Sequence, residues 1–177
     1  HDSLTGLLNR KAFGDFYEAA CSRAARQRSS VGLLYIDLDG FKQINDSFGH
    51  DVGDSVLVEA GRRLSSCTRR EETLARLGGD EFAVLVEGVE DEQEIISLAD
   101  RILDALARPL DDLDARAKIG ASIGIALSHE FGSGTDFDHH PDALSLLSEA
   151  DQAMYCAKRN GRQRWELAPV GREPVSV

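Results

Sequence analysis

Apolar residues recur three and four positions apart in four segments of the chain, the spacing that places them on one face of an α-helix. The four predicted helices cover residues 9–27, 52–64, 95–106 and 144–157. Asn160 and Gly161 follow the last segment, and such a pair is typical of a helix C-terminus. These helices need a partner surface on which to bury their apolar faces.

Short apolar runs with β-branched residues predict that surface. Residues 31–38 (VGLLYIDL) are almost continuously apolar, which indicates a buried central strand. Residues 73–77 and 81–86 flank Gly78 and Gly79 and predict a hairpin. Residues 115–127 predict a long strand and residues 163–167 a last edge strand. We expect a polar loop before the second helix and a surface loop over the glycine-containing residues 128–142.

The predicted order is a helix followed by β-α-β-β-α-β-α-β, which favours one sheet with helices packed on it. A chain of 177 residues suits one globular domain. We assign that domain to residues 1–168. Residues 169–177 contain two prolines and a glycine and are predicted to be a disordered tail.

The net charge of the chain limits the classes of partner that it can bind. Thirty-one acidic residues against twenty basic residues give a net charge of -11, so we expect no nucleic-acid partner. The negative charge of an anionic substrate would have to be neutralised locally, with metal cations. The three cysteines form no CxxC pair, which predicts neither a disulfide framework nor a zinc site and fits a reducing cytoplasm. No apolar run approaches the roughly 20 residues of a membrane span, so this domain should not contact a membrane.

Asp37 is the first candidate for chemistry, because it lies in an otherwise apolar strand. An unpaired carboxylate there would cost several kcal/mol unless a positive group meets it. Asp80 and Glu81 follow the Gly-Gly turn directly, and a hairpin beside the central strand would bring the acidic groups together. Such a cluster suits Mg²⁺, which prefers oxygen ligands. The alternatives are a strand-end aspartate that reaches solvent and an ordinary polar hairpin.

Residues 76–82 (RLGGDEF) resemble the signature of the GGDEF family of diguanylate cyclases. Five further blocks resemble family blocks in the same order: residues 2–10 (DSLTGLLNR), 37–46 (DLDGFKQIND), 49–54 (GHDVGD), 122–126 (SIGIA) and 150–162 (ADQAMYCAKRNGR). The resemblance implies an α+β fold, with a central antiparallel sheet and a βαββαβ core related to polymerase palms and adenylyl cyclases. Helices flank that core.

The resemblance also implies a metal site and a catalytic pair. Asp37 and Asp80 match side-chain ligands of Mg²⁺, with Mn²⁺ as an alternative, and Leu38 matches a ligand through its backbone carbonyl. Asp80 matches the residue that helps to deprotonate the attacking hydroxyl, and Glu81 its acidic neighbour. Since a carboxylate is a weak base for a sugar hydroxyl, metal polarisation of that oxygen must carry much of the work.

The remaining matched positions contact the substrate. Asn45 and Asp54 match the residues that read the guanine edge, where a carboxylate can accept from N1–H and N2–H₂. The other substrate-binding positions are Phe41, Lys42, Gly78, Gly79, Lys158 and Arg162. Lys158 and Arg162 lie four positions apart, where like charges repel unless a polyphosphate binds them. The alternative is that basic residues near the helix end simply complement its dipole.

A diguanylate cyclase condenses two GTP molecules into cyclic di-GMP, with each half-site supplied by one domain of a homodimer. The resemblance therefore implies GTP as substrate, a homodimer for catalysis, and sensory domains in a longer parent chain that could be anchored in a membrane. Several blocks resemble domains fused to an EAL phosphodiesterase. The alternative function is accordingly a silent GTP-binding module that regulates such a partner domain.

One block departs from the family pattern. Many members carry an inhibitory product site, RxxD, where this chain has residues 69–72 (RREE). Arg69 can still offer a bidentate fork to phosphate or guanine. Glu72 holds its carboxylate one methylene farther out than aspartate would, so we expect weak product inhibition. The alternative is a charged surface turn.

Overall fold

The computed structural model describes residues 1–110, 119–128 and 143–169. Its elements in chain order are α1 (Arg10–Gln27), β1 (Val31–Asp39), α2 (Phe41–Phe48), α3 (His50–Cys67), β2 (Thr73–Gly78), β3 (Glu81–Glu87), α4 (Glu92–Ala107), β4 (Gly120–Leu127), α5 (Ala143–Arg159) and β5 (Arg164–Leu167). The four helices predicted from apolar spacing correspond to α1, α3, α4 and α5. Among the described residues, no helix is long and apolar enough to cross a membrane.

The five strands form one sheet in the order β2-β3-β1-β4-β5. Neighbours are antiparallel except β4 and β5, which run parallel. All nine residues of β1 are buried, as its apolar run predicts for a central strand. The β2–β3 hairpin and the edge position of β5 are also confirmed. The predicted α+β fold is thus the observed one, with a parallel pair at one edge.

Helices cover both faces of the sheet and form two apolar cores. Alternate β1 residues such as Leu34 and Ile36 pack with α3 and α4 in the larger core. The intervening residues, such as Leu33 and Tyr35, pack with α1 and α5 in the smaller core. Because side chains alternate between the faces of a strand, Asp37 belongs to the face covered by α1 and α5.

The polar loop predicted before the second helix is wrong, because residues Phe41–Phe48 form α2. Gly40 precedes this helix with a φ of 81° and Gly49 ends it with a φ of 88°. Ile44 is the one buried residue among its eight. A helix this short that buries one side chain shows no repeated apolar spacing, so the pattern could not reveal it.

Other predicted boundaries hold to within a few residues. Asn9 caps α1 by accepting a hydrogen bond from the Ala12 N–H, and α5 ends at Arg159, just before the predicted Asn160–Gly161 terminus. The start of the long strand at residues 115–118, most of the predicted surface loop (129–142) and residues 170–177 of the predicted tail lie outside the described residues.

Candidate functional site

The hairpin turn places Asp80 beside the end of β1. Gly78 and Gly79 have φ values of 143° and 53°, a backbone conformation that favours glycine. Across the sheet, Asp37 pairs with Glu81, and the Leu38 N–H donates to the Asp80 carbonyl at 3.2 Å. The sheet thus brings two acidic segments that are distant in the sequence together at the end of β1, as the sequence predicted.

A cavity of about 500 Å³ opens at this end of β1. Asp37, Leu38 and Asp80 line one part of it, and Phe41 lies at the start of α2 along its wall. Since the N–H and the C=O of one strand residue point to the same side, the Leu38 carbonyl faces the hairpin where its N–H does. Two carboxylates and one carbonyl oxygen are therefore available around this end of the cavity.

Burial and several neighbouring charges act on the Asp37 carboxylate. Its side chain is 11% exposed, and the Lys158 ammonium lies 2.7 Å from its Oδ2. Burial raises the pKa of the Asp37 carboxyl, the hydrogen bond from Lys158 opposes that rise, and the nearby charges of Asp80 and Asp39 add to it. Each cause of the rise is a penalty on negative charge, so the site favours a bound cation.

These donors fit Mg²⁺. The described residues contain no group of three or more His, Cys, Asp or Glu side chains arranged to hold a metal. Magnesium does not need one, because it usually keeps several waters and takes one or two carboxylates together with substrate phosphates. Asp37, Asp80 and the Leu38 carbonyl supply that partial set, and the cavity leaves room for the rest.

The three predicted phosphate-binding cations line the same cavity. Lys42 lies in the first turn of α2, while Lys158 and Arg162 lie at and just beyond the end of α5. The Arg162 Nε is 3.8 Å from the Asp39 Oδ1. Carboxylates and cations that line one cavity are what a metal–triphosphate needs.

Asn45 and Asp54 lie in the neighbouring pair of helices, α2 and α3. A Cβ added to Gly53 would come 1.9 Å from the Asn45 Oδ1, so glycine at this position leaves room for the Asn45 side chain against α3. Asp54 is exposed and lines a separate cavity of about 880 Å³, together with Leu4 and Val58. Within the described part of the chain, neither the Asn45 amide nor the Asp54 carboxylate has a side-chain hydrogen-bond partner.

A family model described as "Diguanylate cyclase, GGDEF domain" matches residues 1–164. The chain belongs to the GGDEF family. The solved GGDEF domain of TpbB from Pseudomonas aeruginosa is 38% identical, with a TM-score of 0.84 over 96% of this chain and 95% of that one.

Two curated relatives differ in what their names say they do. The bifunctional diguanylate cyclase/cyclic di-GMP phosphodiesterase MucR of Pseudomonas aeruginosa is 40% identical over 92% of this chain. The cyclic di-GMP phosphodiesterase PdeR of Escherichia coli is 39% identical over 91% of it. The chain spans only 22% of MucR and 23% of PdeR, so each relative is a much longer protein.

The GGDEF hairpin is held by two arginines to which the sequence interpretation gave no role. Arg10 of α1 lies 3.1 Å from the Glu81 carboxylate, and Glu81 does not line the Asp37 cavity in the described part of the structure. Arg76 donates to the Gly79 carbonyl and pairs with Asp2 at 3.1 Å. Both arginines belong to the blocks that carry the family resemblance, and that is the signal that could have drawn attention to them.

The position of the family's product site holds a surface turn. The Glu72 carboxylate accepts a hydrogen bond from the Arg69 backbone N–H at 2.8 Å. The Arg69 guanidinium, 56% exposed, pairs with Glu94 of α4 at 2.9 Å. Both side chains therefore have partners inside the protein.

Proposed function

We propose that this GGDEF domain is a diguanylate cyclase that condenses two GTP molecules into cyclic di-GMP. Each 3′-hydroxyl attacks the α-phosphate of the other nucleotide, one P–O bond forms and one breaks at each phosphorus, and two pyrophosphates leave. The observation that carries the proposal is the cavity that joins Asp37 and Asp80 to Lys42, Lys158 and Arg162.

The acidic end of the cavity suits the attack. Asp37, Asp80 and the Leu38 carbonyl would hold Mg²⁺ or Mn²⁺, which supplies Lewis-acid polarisation of the hydroxyl and phosphate oxygens. Asp80 would accept the hydroxyl proton. Glu81, turned toward Arg10 at 3.1 Å, would support the hairpin and add negative charge near the metal.

The rest of the nucleotide is bound by the neighbouring elements. Lys42, Lys158 and Arg162 would neutralise the triphosphate and stabilise the charge on the leaving pyrophosphate. Asn45 and Asp54, whose polar groups have no partner among the described side chains, would pair with the guanine edge. Gly78 and Gly79 leave open space beside the hairpin, which allows substrate to approach the backbone.

One domain holds the groups for one GTP, so the proposed chemistry requires two domains that face each other. The catalytic unit is then a homodimer, and other parts of a longer chain, such as sensory or EAL domains, would control the encounter. We place the domain in the cytoplasm, which the three free cysteines fit.

A silent GTP-binding regulator is the second candidate. PdeR, which is named as a phosphodiesterase only, is about as similar to this chain as the bifunctional MucR. Against this candidate, every position matched to metal, guanine and phosphate holds a residue of the required chemistry.

Incubation with GTP and Mg²⁺ over a range of protein concentrations, followed by identification of the product, separates the two candidates. A cyclase forms cyclic di-GMP, with a rate per domain that rises with concentration, and Asp80→Ala abolishes it. Glu87→Ala, at the other end of β3, is the matched control and should keep the activity. Bound but unchanged GTP at every concentration would favour the regulator.

A further inference from the structure

Asp39 is a buried carboxylate to which the proposed reaction gives no role. It ends β1 and is 8% exposed. Its Oδ1 accepts a hydrogen bond from the Ser122 hydroxyl at 2.8 Å, and its Oδ2 accepts one from the Gln163 backbone N–H at 3.0 Å. Because both oxygens are engaged by donors of the protein, Asp39 is poorly placed to act as a metal ligand.

The turn that Asp39 holds has an uncommon backbone. Residues Gly161, Arg162 and Gln163 have consecutive φ values of 115°, 61° and 49°. Two adjacent non-glycine residues with left-handed φ persist only where surrounding contacts impose the conformation. The Arg162 N–H donates to the Ala157 carbonyl at 3.0 Å, which closes the end of α5. The Gln163 N–H bond to Asp39 fixes the next residue.

The strand beside the turn is shaped to receive it. Gly120 of β4 pairs with Asp39 across the sheet. A Cβ added at Gly120 would come 2.5 Å from the Gln163 side chain. Glycine at this position therefore lets the turn lie directly against the strand, within reach of the Asp39 carboxylate.

We propose that Asp39 is a positioning residue, which ties this turn to the sheet and thereby presents Arg162 to the triphosphate. The inference rests on the proposed binding of GTP. Arg162 is 62% exposed, and a long side chain beyond a loose helix end would lose rotamer and backbone freedom on binding. A turn fixed before binding removes part of that loss, which strengthens the contact with phosphate.

Binding of a GTP analogue with a methylene bridge between the α- and β-phosphates tests this role without turnover. The set is the unmodified domain, Asp39→Ala, Arg162→Ala and the double variant, each checked for folding by thermal unfolding. Arg159→Ala is the matched control, because it removes an exposed positive charge on the last turn of α5 that does not line the cavity in the described structure.

If Asp39 acts through Arg162, each single variant weakens binding by about tenfold, the scale of a hydrogen bond to a charged group. The double variant then loses no more than Arg162→Ala alone. Arg159→Ala changes the affinity less than about twofold. Asp39→Asn restores most of the affinity, because its amide oxygen can accept the Gln163 N–H while its NH₂ donates to Ser122.

Additive losses in the double variant would overturn the positioning role, and so would an Asp39→Asn variant as weak as Asp39→Ala. If Asp39→Ala does not fold, Asp39→Ser replaces it. The serine oxygen lies one bond closer to the backbone than the aspartate oxygens, so it does not reach the Gln163 N–H. An unmodified domain that binds no analogue defeats the proposed function itself. An Asp39→Ala variant that binds as tightly as the unmodified domain defeats only the role of Asp39.

Discussion

The ammonium of Lys158 lies 2.7 Å from the carboxylate of Asp37, which is a proposed metal ligand. Lys158 is also one of the residues proposed to bind the triphosphate. The Lys158 amine thus neutralises part of the negative charge of the acidic cluster in this structure. When a divalent ion neutralises that charge instead, the amine is available to bind phosphate.

This pairing predicts that Lys158→Met binds Mn²⁺ more tightly than the unmodified domain when no nucleotide is present. Removal of the amine leaves the Asp37 and Asp80 cluster one charge more negative, and we expect a gain of about tenfold in affinity. Calorimetric titration with Mn²⁺ alone at mildly alkaline pH measures it.

Arg159→Met is the control, since Arg159 is exposed on the last turn of the same helix and does not line the cavity. It removes the same charge and should leave Mn²⁺ binding within about twofold. Equal Mn²⁺ affinity of Lys158→Met and the unmodified domain would show that the amine does not compete with the ion.

Base selection is predicted to depend on Asp54. Adenine lacks the N1–H and N2–H₂ donors of guanine, so ATP would forgo the hydrogen bonds that guanine donates to this carboxylate. The methylene analogue of GTP should therefore bind at least about tenfold more tightly than that of ATP, and Asp54→Ala should remove most of the difference.

Asp51→Ala provides the comparison, because Asp51 is an exposed acid one turn earlier in α3. Its preference for guanine should match that of the unmodified domain. A preference for GTP that survives in Asp54→Ala would assign base reading to other groups.

The sequence predicted the acidic end of the site but not its inner contacts. The apolar run of β1 and the Gly-Gly turn together place Asp37 near Asp80, because each feature is local and strong. The contact between Lys158 and Asp37 joins the end of α5 to the end of β1, and no local pattern encodes that meeting.

The same limit explains the residues that were missed. Asp39 lies just beyond the predicted strand at residues 31–38, and the contact that engages it comes from the return of the turn at Gln163. Helix α2 buries Ile44 alone among its residues, so its periodicity was invisible. The family resemblance supplied Asn45 and Asp54, which spacing alone would not have singled out.

The stability of α3 is predicted to depend on pH through Glu59. The guanidinium of Arg62, with that of Arg63, lowers the pKa of Glu59 from 4.5 to about 2, against the partial burial that raises it. A carboxyl group with a lowered folded-state pKa stabilises the fold above its unfolded pKa and loses that contribution as the pH falls toward the folded value.

Glu59→Gln should therefore lower the free energy of unfolding at pH 7 by about 1 kcal/mol. The difference from the unmodified domain should shrink as the pH falls from 4.5 toward 2. Urea unfolding at pH 7 and at about pH 3 tests this. Glu71 is an exposed acid with no side-chain partner among the described residues, so Glu71→Gln should leave the stability unchanged. A difference that is constant with pH would mean that shape and not charge sets the contribution of Glu59.

Product inhibition is predicted to be weak, because the turn at residues 69–72 is already satisfied from within. Cyclic di-GMP would have to displace Glu94 from Arg69, which are 2.9 Å apart, and Glu72 from the Arg69 N–H. The longer acid also carries its carboxylate about 1 Å farther than aspartate would, enough to misplace an acceptor for the guanine edge.

Combining Glu72→Asp with Glu94→Gln shortens the acid and frees the Arg69 guanidinium, and should tighten binding of cyclic di-GMP by about tenfold. Arg70→Ala, an exposed neighbour, should change nothing, whereas Arg69→Ala should abolish the gain. Submicromolar binding of cyclic di-GMP to the unmodified domain, lost in Arg69→Ala, would show that the internal pairs yield readily and that the glutamate serves as well as an aspartate.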